Sequence, residues 1–445
     1  MTRPQYISSD TIFALATAPG RAGIAVLRVS GPAAAEAAEA LTGIAPDRPR
    51  ETIRCRMVDP ESGEALDDGL LLWFPAPRSF TGEDVVELHI HGGRATVEAV
   101  AGALAARPGL RPADPGEFSR RAFLAGKLDL TAVEAIADLV DAETDAQRRQ
   151  ALRQLDGGLV ARLDGWRTDL IGLMAHLEAD IDFPDEDLPD GVSDAARGRL
   201  AALEAEMRVF LDDARRGERL RSGFRIALLG APNAGKSSLL NAIAARDAAI
   251  VSETAGTTRD VIEVHLDLGG WPVTLADTAG LRETGDEIER EGVRRALDRA
   301  ADADLRLAVF AADRPTDTAS LDQVALGALA VVNKIDLAAA PDEIGGATPI
   351  AVSARTGAGM ADLLRRIQDA AAEALDGTDA PLTRTRHRSA LLECADALAR
   401  ARGVSEPELA AEDVRLAARA LGRITGRVDV EDLLDVIFRD FCIGK

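Results

Sequence analysis

The segment 225–245, RIALLGAPNAGKSSLLNAIAA, constrains this chain more than any other. A short apolar run feeds a glycine-containing loop that closes on Gly-Lys-Ser and opens a helical stretch. That succession belongs to an α/β sheet with a phosphate cradle at one strand end. Gly230 and Gly235 let the backbone curl so that its N–H groups point inward, and the next helix adds its positive end. Lys236 then meets the β- and γ-phosphates of a nucleoside triphosphate, and Ser237 supplies a hydroxyl to the magnesium ion bridging them.

Further motifs follow in the order such a domain requires. VVNKID, ending at Asp336, places a carboxylate after an apolar run, where it can accept two hydrogen bonds from the ring N–H and amino group of guanine. Adenine offers no such pair, so the site favours GTP over ATP. Asn333 and Lys334 brace this loop, and Ser353 with Ala354 fits the last base-contacting loop. Between these lie GTTRD, 256–260, and DTAG, 277–280, where a GTPase senses magnesium and the γ-phosphate. Thr258 is the candidate magnesium ligand, Asp277 holds a magnesium-bound water, and the Gly280 N–H contacts the γ-phosphate. The next position is Leu281, where other GTPases carry a water-positioning Gln, so catalysis is organised by another group, Glu289 or Arg259.

The rest of the chain sets this unit in a larger frame. Residues 1–119 hold short apolar runs (GIAVLRVSG, GLLLWFP, VVELHIHGG) bounded by turn residues and predict a β-containing domain. Residues 120–220 and 377–445 have helical periodicity, for example in AVEAIADLVDAETDAQRRQALRQL. In 221–376 apolar runs alternate with helical segments, the rhythm of a parallel sheet with crossover helices, and TDTASLDQVALGALA predicts a trimmed crossover. The fold class is therefore multidomain, α/β plus all-α, with a P-loop GTPase domain inserted into a helical domain. Lys and Arg number 52 against 74 Asp and Glu, a net charge of −22 that repels nucleic acid at long range. RNA contact must then be local or shared with a partner, and with 3% aromatic residues a base-stacking platform is poorly supplied. Cys55, Cys394 and Cys442 lie far apart and fit neither a disulfide framework nor a zinc site, which points to a reducing, cytoplasmic setting. No run is long and apolar enough for a membrane helix, and TIFALATA, preceded by Asp10, is a poor signal sequence.

GAPNAGKSSLLNAI, AGTTRDVIE, DTAGLRETGDEIER, TGEDVVELHIHGG, IDFPDED and the terminal FCIGK together resemble the MnmE (TrmE) family of tRNA-modification GTPases over essentially the whole chain. The resemblance implies an N-terminal α+β tetrahydrofolate-binding domain that forms a homodimer. It also implies a flavoprotein partner, MnmG, with which an aminomethyl or carboxymethylaminomethyl group is installed on C5 of the wobble uridine of certain tRNAs. By resemblance, a potassium ion takes the place of an arginine finger. It is held by Asn233 and by the carbonyls of Ser252, Thr254 and Thr257, while Glu289 orients water. The GTP contacts so implied are Asn233, Ala234, Gly235, Lys236, Ser237 and Ser238 in the P-loop. To these are added Ser252, Glu253, Thr254, Ala255, Gly256, Thr257 and Thr258, then Asp277, Thr278, Ala279 and Gly280, and finally Asn333, Lys334, Ile335, Asp336, Ser353 and Ala354. Formyl- or methylene-tetrahydrofolate would meet Arg28, Glu87, Lys127 and Lys445. Cys442 is either catalytic, as the resemblance implies, or a small cysteine filling a domain contact.

Other features read more plainly. His89 and His91 share a strand face without a third metal ligand nearby. The acidic run through Asp180, Asp182, Asp185, Glu186 and Asp187 lacks the spacing of a calcium loop. GRAG, 20–23, precedes a strand and is no nucleic-acid-binding loop. Two competing functions fit parts of the pattern: a GTP-dependent ribosome-assembly switch without modification chemistry, and a regulatory folate- and nucleotide-binding scaffold.

Overall fold

The computed structural model describes residues 9–182, 192–245, 249–250, 263–277, 303–377 and 382–428, together with positions 434, 437, 438, 441 and 444. The chain divides into two compact units, one of residues 1–137 with 422–445 and the other of 138–421.

The first unit runs β1 (Thr11–Leu15), β2 (Ala22–Ser30), α1 (Ala34–Thr42), β3 (Ile53–Val58), β4 (Ala65–Phe74), β5 (Val85–Gly92), α2 (Arg94–Ala105), β6 (Leu110–Pro112), α3 (Glu117–Leu124) and α4 (Leu130–Val140). Its strands form one sheet in the order β3-β4-β5-β2-β1-β6, antiparallel except for the β1–β6 pair. Period-two alternation decides the faces. Leu27, Val29, Val86, Leu88 and Ile90 pack beneath Ala37 and Leu41 of α1 and Val100 and Leu104 of α2. The intervening residues, Arg28 and Glu87 among them, stand on the other face, opposite one another in register. A separate cluster joins Phe123, Leu130 and Val133 to Leu434, Phe438 and Phe441 near the chain's end.

The second unit begins with α5 (Asp145–Leu155), α6 (Gly158–Asp182) and α7 (Val192–Ser222). The stretch of helical periodicity is divided into two helices between α4 and α5. Thr144 caps α5 through a capping box with Gln147, which starts a new helix there. There follow β7 (Phe224–Leu229), α8 (Lys236–Ala244), β8 (Ala249–Ile250), β9 (Glu263–Leu268), β10 (Trp271–Asp277), β11 (Leu305–Ala311), α9 (Thr318–Ala325), β12 (Leu329–Asn333), β13 (Ile350–Ala351), α10 (Met360–Leu375), α11 (Thr385–Gly403) and α12 (Pro407–Thr425). The short segment before β12 thus makes the eight-residue α9, capped by the Asp317 side chain.

The seven strands are ordered β13-β12-β11-β7-β10-β9-β8. The first five are parallel, but β9 pairs antiparallel with both β10 and β8, a departure from the wholly parallel rhythm expected. The cause is the turn at Gly269–Gly270, both at positive φ, which is too short for a crossover and folds β9 back on β10 as a hairpin. Helix α10 closes the sheet with Met360, Leu363, Ile367, Ala371 and Leu375, a stripe at helical spacing that is buried in the core. Helix α11 packs on α7, with Cys394 Sγ 3.6 Å from Met207 Sδ. Burial pushes that thiol up to about 12, so it is not a nucleophile.

Candidate functional site

Strand β7 lies between β10 and β11, so the chain builds outward on one side of it and then crosses to the other. Such a reversal opens a crevice at the carboxyl ends of the strands. The loop 230–235 leaves β7 there, and α8 starts at Lys236. Lys236 Nζ donates to the carbonyls of Gly230 at 2.8 Å and Ala231 at 3.1 Å, which holds the ammonium inside the loop. Asn233 has φ 62°, an uncommon conformation for a residue with a side chain.

Asn333, buried at the end of β12, ties three motifs together. Its Nδ2 donates to the Gly235 carbonyl at 3.2 Å, while its Oδ1 accepts from the Lys334 N–H at 2.7 Å and the Ala354 N–H at 3.1 Å. Gly235 sits at φ 93°, and a Cβ there would lie 2.4 Å from Asn333 Nδ2, so only glycine fits. Lys334 Nζ reaches Asp313 at 3.3 Å. Asp336 Oδ1 accepts from the buried Ser353 hydroxyl at 2.5 Å, and Oδ2 accepts from Arg355 Nε at 2.8 Å. The Ser353 hydrogen bond, followed by that of Arg355, holds the Asp336 carboxyl below its ordinary range, so it is ionised at neutral pH.

Sequence reasoning missed Asp313 and Arg355. Arg355 stands one residue beyond Ser353–Ala354, and Asp313 follows the apolar run of β11, but neither belongs to a motif with a stated role. Asn233, Ala234, Gly235, Lys236, Ser237 and Ser238 fall on the loop and the start of α8, and Asn333, Lys334, Ile335, Asp336, Ser353 and Ala354 on the two loops joined by Asn333. Asp277 ends β10. Ser252, Glu253, Thr254, Ala255, Gly256, Thr257, Thr258, Thr278, Ala279, Gly280 and Glu289 lie outside the described residues, as does the alternative Arg259.

The first unit carries a second constellation. Arg28 donates twice to Glu87 Oε1, at 3.0 and 2.9 Å, and lies 5.7 Å from the Phe80 ring centroid and 5.8 Å from that of Phe118. Glu87 Oε2 faces His89 Nε2 at 3.5 Å. Arg28 and Glu87 line a cleft of about 550 Å³ together with Arg50, Arg78, Phe80 and Lys127. Three of the four candidate folate residues therefore share one cavity, and Lys445 lies outside the described residues, as does Cys442. His91 pairs with Asp67 at 2.8 Å, and among the described residues no group of three metal-ligating side chains occurs.

A model of the MnmE helical domain matches residues 130–442, and one of the GTP-binding protein TrmE N-terminus matches residues 11–127. The chain is 60% identical over 445 residues to the tRNA modification GTPase MnmE of Paramagnetospirillum magneticum, covering 98% of this chain and 100% of that one. It is 58% identical over 454 residues to its namesake from Rhodospirillum rubrum, covering 98% and 99%. The identity to that of Parvibaculum lavamentivorans is 56% over 453 residues, covering 98% and 100%.

Proposed function

Because the chain belongs to the MnmE (TrmE) family, we propose that it is a GTPase acting in tRNA modification, whose hydrolysis cycle drives chemistry at the wobble uridine. The observation that carries the nucleotide half is the Asn333 side chain, which locks the phosphate loop and both base loops to one another at a single crevice. A phosphate cradle and a guanine-reading carboxylate held in fixed relation are what selective GTP binding requires.

In this reading Lys236 and the α8 N-terminus receive the β- and γ-phosphates, and Asp336 pairs with the guanine edge. The hydroxyl of Ser237 and the amide oxygen of Asn233 are hard donors suited to magnesium and potassium, with Thr258 as second magnesium ligand and the carbonyls of Ser252, Thr254 and Thr257 completing the potassium set. When bound, the two cations neutralise charge that spreads over the phosphoryl oxygens in the transition state. Glu289 orients the attacking water, a task for which Leu281 has no polar group.

The cleft of the first unit suits a reduced folate. Glu87 Oε2 can accept pterin N–H groups, the Arg28 guanidinium lies beside aromatic rings, and Lys127 offers a cation for a carboxylate. A formyl- or methylene-tetrahydrofolate bound there supplies a one-carbon unit. In this reading Lys445 completes that set, and Cys442, three residues earlier in the sequence, takes part in the chemistry. Together with MnmG, the homodimer adds the aminomethyl or carboxymethylaminomethyl group to C5 of the uridine in the cytoplasm, and the acidic chain leaves most of the tRNA affinity to its partner.

The test is the GTP hydrolysis rate at saturating magnesium, with potassium compared against sodium at equal ionic strength. A potassium-specific acceleration that disappears in Asn233→Ala is expected. Equal rates in the two salts would remove the cation from the mechanism. Nucleoside mass spectrometry of tRNA from a deletion strain tests the modification, because unchanged wobble uridines reject it.

A further inference from the structure

We propose that Arg50 and Arg78 form a second, anion-binding subsite at the mouth of the Arg28–Glu87 cleft, and that it takes a run of carboxylates, the γ-linked oligoglutamate tail of a reduced folate. The proposal rests on the reading of this cleft as a folate site and names the form of folate it prefers.

Arg50 is held, although it is exposed. Its backbone has φ 62°, its N–H donates to the Trp73 carbonyl at 2.8 Å, and its guanidinium lies 5.5 Å from the Phe74 ring centroid and donates to the Arg78 carbonyl. On the neighbouring residue, Lys127 Nζ donates to the Pro77 carbonyl at 2.9 Å. The 77–78 backbone is thus gripped by two cations, and Arg78 adds a third at the same rim. Arg28 has Glu87 as its partner, but among the described residues Arg50, Arg78 and Lys127 have no carboxylate within ion-pairing distance. In a chain of net charge −22, three cations without carboxylates around one cleft mark a place built for an incoming anion. A single pteroyl glutamate brings two carboxylates, fewer than the cations at the rim, whereas each further γ-linked residue adds one along an extended tail. An RNA backbone carries the same sign, but the net charge opposes it and the cations ring a cavity instead of tracking a strand.

The experiment is equilibrium binding of monoglutamyl and pentaglutamyl 5-formyltetrahydrofolate to the full chain and to R50A/R78A. The unaltered protein is expected to bind the pentaglutamate roughly tenfold tighter, an advantage that shrinks as salt rises. The double variant should lose that advantage and bind the two folates alike, and an unchanged urea-unfolding curve reports that it has folded. Equal affinity of the unaltered protein for both folates overturns the subsite and leaves the folate reading standing. Binding of neither overturns both. A variant that keeps the pentaglutamate advantage but loses tRNA retention on filters overturns the subsite in favour of an RNA contact.

Discussion

At the scale of single residues, Asp336 shows how a motif and its surroundings divide the work. A carboxylate after an apolar run is legible in VVNKID, and the guanine contact proposed for it rests on that reading. The hydrogen bonds of Ser353 and Arg355, which hold it ionised and aimed, come from a loop about twenty positions on and become visible only when that loop folds back. Asp336→Asn replaces an acceptor by an amide donor and leaves guanine's N–H groups facing a mismatched edge. GTP affinity is expected to fall by about 100-fold or more, with xanthosine triphosphate partly restoring binding, as nucleotide titration would record. Because the folded-state pKa is depressed, the ionised form persists throughout the neutral range. GTP binding should be lost only as pH falls below the ordinary carboxylate value, near about 4, through the lower value of the folded site. A midpoint above that ordinary value would show that Asp336 is not held as described.

At the scale of elements, the buried Arg121 of α3 ties together parts of the first unit that are far apart in sequence. Its guanidinium meets Asp10 before β1 at 2.8 Å, Glu83 before β5 at 3.2 Å and Glu117 at 2.9 Å, and Arg111 of β6 closes the network on Asp10 at 2.7 Å and Glu117 at 2.6 Å. Burial works to raise the Glu117 pKa, but the hydrogen bonds from Arg111 and Arg121 outweigh it and leave the carboxyl below its usual range. The stability this contributes is complete above the ordinary glutamate pKa and is lost as pH falls through the depressed value. Arg121→Met leaves Glu83 without its cation and Asp10 and Glu117 with Arg111 alone, and should destabilise the first unit by about 3–5 kcal/mol, measurable by urea unfolding. A change under about 1 kcal/mol would mean the network adds nothing beyond packing. Apart from the i,i+4 pair of Glu117 and Arg121 on one helix, these partnerships were not legible in the sequence, since charged residues as far apart as Asp10, Glu83 and Arg121 announce no pairing. The strands were legible, because apolar runs between turn residues have few other uses. The break before α5 also left its signal in Thr144 and Gln147, although helical periodicity on both sides masked it.

At the scale of the whole chain, residues 422–445 belong to the same unit as residues 1–137, and 138–421 form the other. Phe438 and Phe441, with ring centroids 5.6 Å apart, pack in the cluster of Phe123, Leu130 and Val133. Beyond them Gly444 has φ 104°, and a Cβ there would lie 2.2 Å from the Leu15 carbonyl oxygen of β1. Backbone cannot yield as a flexible side chain can, so Gly444→Val should push the tail off β1. If Lys445 is a folate ligand, the variant should lose at least about tenfold in folate affinity with little change in GTP hydrolysis, as binding titration and a phosphate-release assay would report. Unchanged folate affinity would separate the tail from the cleft.

The sequence by itself determined the local patterns: a glycine-containing loop between strand and helix, a carboxylate at the end of VVNKID, the alternation that splits the first sheet into two faces, and a resemblance reaching from Arg28 to FCIGK. These follow from neighbours along the chain, where spacing and residue type act directly. The tertiary structure alone decided that Asn333 joins three loops, that Arg50 and Arg78 share a cleft with Arg28 and Glu87, and that Gly444 meets Leu15. Such contacts are set by which buried faces pack together, and the energy of that packing depends on the whole core, not on any one segment.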